Sequence, residues 1–169
     1  MVLFKIKILL LVVLLVLSSC NPFAPSKYTG EEGNLVLSDQ MTVEGVFQNW
    51  RYAYIFADTS VYSNLLDDKF TFIYRNYELG IDNSWGKDID LRTTRTLFDS
   101  TESIDLIWNE IIFEIGDSLS KNILRSFNLQ LSFKADDITR INGRANIQLV
   151  RNNSNEIWKI QQWRDESNY

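Results

Sequence analysis

The sequence predicts an α+β domain in which helices, the first of them long, lie on one face of an antiparallel sheet. Three observations carry that expectation. Over residues 42–57 the apolar side chains recur at the spacing of one helical face. From about residue 103 onward the chain instead alternates apolar and polar residues, the period of half-buried strands. Helices first and long strands afterwards is the order of an α+β fold with its helices on one face.

The elements follow in turn. Thr42 suits the N-cap of the first helix, and Met41 with Val46 occupies the two positions of a hydrophobic staple. Trp50 and Tyr54 lie on its apolar face. Asp58 or Thr59 can cap a second, shorter helix through Tyr62, Leu65 and Leu66, which Asp67 and Asp68 should break. Phe70, Phe72 and Tyr74 then alternate with Lys69, Thr71 and Ile73 as a first strand would. Residues 77–87 hold Gly80 and Gly86 among polar neighbours and read as a loop. Asp88 can cap a third helix to about Phe98, although Thr93, Thr94 and Thr96 are poor helix formers.

Beyond that point everything reads as sheet. Residues 103–114 form a mixed apolar strand around Trp108. Phe127, Leu129, Leu131 and Phe133 alternate with Asn128, Gln130 and Ser132, and Ala145, Ile147 and Leu149 alternate with Asn146 and Gln148. The last strand, residues 157–163, follows an Asn-Asn-Ser-Asn turn. Trp158 and Ile160 point to one side of it, and Trp163 falls on the other unless a bulge intervenes. Two readings of Trp163 stand. It belongs to an outer-face patch of the kind that marks interfaces, or it covers the C-terminal edge of the core.

The first twenty residues have a different character. Lys5 and Lys7 precede an unbroken apolar run at residues 8–17, and Ser18, Ser19 and Cys20 follow. A positive n-region, a short apolar stretch and small residues at the cut describe a secretory signal peptide. A spanning helix needs about 17–25 predominantly apolar residues, and this run is shorter. Leu17-Ser18-Ser19-Cys20 resembles the lipobox of bacterial lipoproteins. That resemblance implies cleavage after Ser19 and lipidation of Cys20, the chain's single cysteine. Two or three acyl chains anchor a protein stably where one does not. Asn21 stands where an aspartate would resemble an inner-membrane retention signal. The expected location is therefore the cell envelope, on the outer membrane facing the periplasm if the host has one.

Residues 20–37 fit a flexible linker, since they contain both prolines, Pro22 and Pro25, with Gly30 and Gly33. As a coil it would hold the domain about 20 Å from the bilayer. The expected organisation is a signal at 1–19, a linker at 20–37 and one domain at 38–169. Losing Lys5 and Lys7 leaves 15 basic against 22 acidic residues, a shift from −5 to −7. That balance lacks the basic footprint of a nucleic-acid binder. With one cysteine, packing alone must hold the monomer together.

Residues 46–74 (VFQNWRYAYIFADTSVYSNLLDDKFTFIY) resemble the start of the nuclear-transport-factor-2-like (NTF2-like, cystatin-like) superfamily, which includes ketosteroid isomerase and SnoaL-type cyclases. Gly143 to Leu149, then Trp158-Lys159-Ile160 with Trp163, resemble its last two strands. The resemblance spans about residues 42–165. It implies a curved antiparallel sheet wrapped around the long N-terminal helix, a cone with a pocket at the wide end, and for many members a homodimer through the outer sheet face. The aromatics placed to line such a pocket are Trp50, Tyr54, Tyr74, Trp108 and Trp158.

Chemistry is constrained more by what is missing. The chain has no histidine, so Ser-His-Asp and Cys-His sets and histidine metal sites are excluded. Gly86-Lys87 lacks the second glycine of a phosphate loop, and residues 82–90 miss the offsets of a calcium loop. No cofactor or metal is expected. No carboxylate aligns with the base of the resembling enzymes, which need an acid shifted by burial. Two functions follow as expectations: an envelope lipoprotein with a non-catalytic binding or structural module whose small apolar pocket takes a small apolar ligand or a partner protein, or a lipid-anchored isomerase, dehydratase or cyclase of ketosteroid-isomerase type acting on an apolar substrate.

Overall fold

The computed structural model describes residues 36–167. The signal, Cys20 and most of the linker lie outside the described residues. Three helices and six strands follow one another: α1 (Val43–Ile55), α2 (Thr59–Leu65), β1 (Leu66–Asn76), β2 (Ile81–Gly86), α3 (Lys87–Ser100), β3 (Ser103–Gly116), β4 (Ser120–Lys134), β5 (Asp137–Val150) and β6 (Lys159–Asp165). The strands make one curved, unclosed sheet in the order β2-β1-β6-β5-β4-β3. It is mixed rather than purely antiparallel, because β1 runs parallel to its neighbour β6.

Local chemistry sets the helix ends. The Thr42 hydroxyl accepts from the Gly45 N–H at 3.0 Å and caps α1, with Glu44 in the first turn. Asp58 accepts from the N–H groups of Ser60 and Val61 at 2.9 and 3.0 Å and caps α2. The second helix stops at Leu65, ahead of the expected break, and Asp67 and Asp68 already belong to β1. The third helix is capped by Gly86 without a side-chain bond, not by Asp88. Asp88 and Asp90 instead sit in its first turn, where the helix dipole favours acids. Its threonines are accommodated because packing overrides propensity: Thr94 is buried beside Phe98 and Asp90.

Two sequence expectations fail for the sheet. The segment read as a loop contains β2, an edge strand paired antiparallel with β1 from Thr71↔Gly86 to Asn76↔Ile81. An edge strand with polar residues on both sides carries no hydrophobic alternation to read. The last strand starts at Lys159, so Trp158 precedes it. Within β6 the register jumps from Leu149↔Ile160 to Gln148↔Gln162, which leaves Gln161 as a bulge. The extra residue returns Trp163 to the side of Ile160. The outer face of β4 and β5 accordingly carries amides such as Asn122, Asn128, Asn142 and Gln148 and no tryptophan.

The core lies between α1 and the concave side of the sheet. Val46, Phe47, Trp50 and Ala53 meet Ile123, Ile147, Leu149 and Ile160, all at most 1% exposed. Each such fully buried large side chain contributes about 1.5–3 kcal/mol. Arg125 of β4 ties down the start of α1, donating to both carboxylate oxygens of Glu44 at 2.7 and 3.2 Å while lying 4.6 Å from the Phe47 ring centre. Ahead of α1 the chain is strapped to the domain. Asn49 Oδ1 accepts from the Ser38 N–H at 2.7 Å, and Gln40 exchanges bonds with the Trp158 backbone at 2.6 and 3.1 Å. The strap lies so close that a Cβ on Gly45 would stand 2.2 Å from the Ser38 Oγ.

Candidate ligand-binding cavity

Between α1, α3 and the concave side of the sheet the packing leaves a cavity of about 210 Å³. Trp50 and Tyr54 of α1 form one wall with Leu97 of α3. Leu106 and Trp108 of β3 and Phe127, Leu129 and Leu131 of β4 form the opposite wall. Phe72, Ile141, Trp163 and Asp165 complete it. The volume falls below the range of about 300–1,000 Å³ usual for small-molecule sites. Indoles account for that. Trp50 sits edge-on to Trp108 at 5.1 Å and to Trp163 at 4.9 Å, and these rings occupy space that smaller side chains would leave open. Phe127 lies flat across β5 only because residue 143 is glycine, where a Cβ would come within 2.7 Å of its ring.

Of the aromatics singled out in the sequence, Trp50, Tyr54 and Trp108 line this space. Tyr74 does not; it stacks on Phe72 and packs against Trp85 of β2, toward the sheet edge. Trp158 does not either. It is 2% exposed, with the Arg151 guanidinium 4.2 Å over its ring and its backbone bound to Gln40. The resemblance places both at the pocket, but Trp85 of β2 packs against Tyr74 and the strap ahead of α1 holds the Trp158 backbone. The sequence reading missed Trp163 and Asp165 as lining residues, because the bulge at Gln161 reverses the side on which they fall. With that bulge, both follow Ile160 onto the concave side opposite Ile147 and Ala145.

Behind the Tyr54 wall sits a buried polar cluster with no sequence signal. Asp90, 3% exposed, accepts from the Tyr62 hydroxyl at 2.7 Å and from the Trp85 indole N–H at 2.9 Å. Burial pushes its carboxyl above the ordinary 3.8, while the bonds from Trp85 and Tyr62 pull the other way. Burial, reinforced by the nearby Asp90 charge, also holds the Tyr54 phenol far above its usual value. That burial favours the neutral phenol of Tyr54. Among the described residues no group of three or more acidic or thiol side chains comes together to hold a metal.

The Asp90 shift has a measurable consequence. Because its folded-state pKa is raised, the folded protein holds this proton more tightly than the unfolded chain. The stabilisation is fully present below about pH 3.8 and is lost as pH rises through the folded value. Asp90→Asn removes that dependence. Denaturant midpoints compared from about pH 3.5 to about pH 7 should drift in favour of the variant as pH rises. A wild-type-to-variant difference that stays flat with pH would show that the carboxyl is not held in a low-dielectric site.

The geometry defines a class of protein: an α+β fold whose curved sheet and helices line a small, partly open apolar cavity. No protein-family model and no curated protein matches the sequence. Solved structures do match. A candidate scytalone dehydratase from Novosphingobium aromaticivorans is similar with a TM-score of 0.64 at 11% identity, over 75% of this chain and 82% of that one. A candidate dehydratase of the NTF2-like family from Streptomyces avermitilis gives 0.61 at 13% identity, over 75% and 94%. An NTF2-like protein of unknown function in nutrient uptake from Rhodospirillum rubrum gives 0.59 at 12%, over 76% and 99%. The chain has the NTF2-like fold.

Proposed function

We propose that this is an envelope lipoprotein, anchored through lipid on Cys20, whose cone binds a small apolar molecule without transforming it. The observation that carries the reading is the cavity's lining: aromatic and aliphatic side chains from both helices and sheet, with Tyr54 and Asp165 the only residues offering oxygen from their side chains. A cavity of about 150 Å³ lined by apolar groups is enough to hold benzene, so about 210 Å³ suits a single substituted ring. It is too small for a sterol.

The expected result is selective stabilisation. A compact aromatic ligand at about 100 times its Kd should add about 2.7 kcal/mol and raise the melting temperature by several degrees. Sterols and long-chain fatty acids should leave it unmoved. If compact aromatics also produce no shift, the cone is a scaffold and the binding reading fails.

A second reading, a lipid-anchored isomerase or dehydratase, is favoured by one observation: Asp165 lines the same apolar space as Tyr54. Turnover of a compact apolar ketone or alcohol that disappears in Asp165→Asn would establish it over the first. Two of the similar structures are themselves described as candidate dehydratases.

A further inference from the structure

The side chains that line the cavity fall into two groups by burial. Trp50, Tyr54, Leu106, Phe127 and Leu131 belong to the core and are at most 6% exposed. Trp108 and Trp163, the largest of the rest, are only partly buried and pack against that core. The first group is fixed by the core around it, so the room left for a ligand varies with the second.

The two partly buried indoles are held differently. Trp108 lies 4.8 Å from Phe47, 5.1 Å from Trp50 and 5.7 Å from Phe127, so three buried rings surround it. It is as much core as cavity wall. Trp163 meets two rings edge-on, Trp50 at 4.9 Å and Phe72 at 4.8 Å. Its backbone stands in register between Phe72 of β1 and Ile147 of β5, both buried. With such neighbours the ring has close packing to lose if it swings aside for a larger ligand.

We infer that Trp163 sets the size limit of the ligand: its indole occupies room that further fused rings would take, so the cavity admits one-ring molecules and refuses polycyclic ones. The inference rests on reading the cavity as a binding site, and it adds which side chain selects among ligands. Exclusion by clash is a general route to specificity, because an oversized ligand must displace close-packed side chains. An indole is itself two fused rings. Because this one lines the cavity, shortening it adds contiguous space and carries the volume from about 210 Å³ toward the range of about 300–1,000 Å³ usual for small-molecule sites.

The test compares toluene, one ring, with phenanthrene, three fused rings. Each is brought to equilibrium by dialysis against the purified wild-type protein and against Trp163→Phe, Trp163→Leu and Trp163→Ala. Wild-type protein should bind toluene and take up phenanthrene at least tenfold more weakly. Along the series phenanthrene binding should strengthen, by at least tenfold in Trp163→Leu, while toluene binding changes less. Trp158→Phe shrinks a buried indole outside the cavity and should leave the ratio of the two affinities as in wild type. A loss of stability lowers both affinities together, so the ratio reports selection and not folding. Trp163→Phe keeps a ring against Trp50 and Phe72 and carries the test where the smaller side chains do not fold. Phenanthrene binding as tight as that of toluene in wild type, or a ratio unmoved along the series, overturns the role of Trp163 and leaves the cavity a binding site. No uptake of toluene by the wild-type protein overturns the proposed function itself.

Discussion

Trp50→Ala is expected to destabilise the fold by about 3–5 kcal/mol, the usual cost of truncating a buried large aromatic. The side chain is 1% exposed and makes ring contacts with Trp108, Trp163 and Tyr62. Removing it takes away those contacts and opens a void beside a space that is already partly empty. The loss should appear in the denaturant midpoint with the slope little changed, since a change in stability alone moves the midpoint. A shift under about 1 kcal/mol would mean that α1 does not present this face to the sheet. The enlarged cavity should also accept larger apolar molecules, and these should restore part of the lost stability.

For Cys20→Ala the expected effect is on location and is close to complete. The variant should leave the detergent phase of a phase-separation assay for the aqueous phase, and its mass should retain the uncleaved signal. The reason is the resemblance of residues 17–20 to a lipobox in a chain with one cysteine. No helix among the described residues is long and apolar enough to cross a membrane. Two or three acyl chains give stable anchoring where a single chain binds only marginally. Unchanged partitioning of the variant would remove the lipid anchor from the account.

Legibility followed the physics of burial. Phe127, Leu129 and Leu131 alternate with polar residues because one face of β4 meets the core and the other does not, so the period is written directly in the sequence. The apolar stripe of α1 was readable for the same reason. Edge strand β2 was not, since neither of its faces is deeply buried. Trp163 was ambiguous because one bulged residue exchanges the two sides of a strand, and nothing in Gln161-Gln162 announces a bulge. Asp90 was invisible for another reason. Lys87-Asp88-Ile89-Asp90 looks like an ordinary acidic first turn, and only the arrival of Tyr62 and Trp85 from two other elements makes it a buried acid. The parallel pairing of β1 with β6 is likewise a property of the closed-up chain, because it joins residues about ninety positions apart.

The strap ahead of α1 gives the domain a mechanical polarity. A pull applied to the chain before Val36 reaches the fold first at Ser38 and Gln40, and passes from there to Asn49 and Trp158. Asn49 directly precedes Trp50, the ring that stands between the indoles of Trp108 and Trp163. Tension along the N-terminal segment would therefore be delivered to α1 at the turn that walls the cavity, and from there to β3 through Trp108 and the bond from Arg51 Nε to the Leu106 carbonyl at 2.9 Å. A ligand that braces Trp50 against Trp108 and Trp163 would stiffen that same turn, so occupancy and resistance to pulling would rise together.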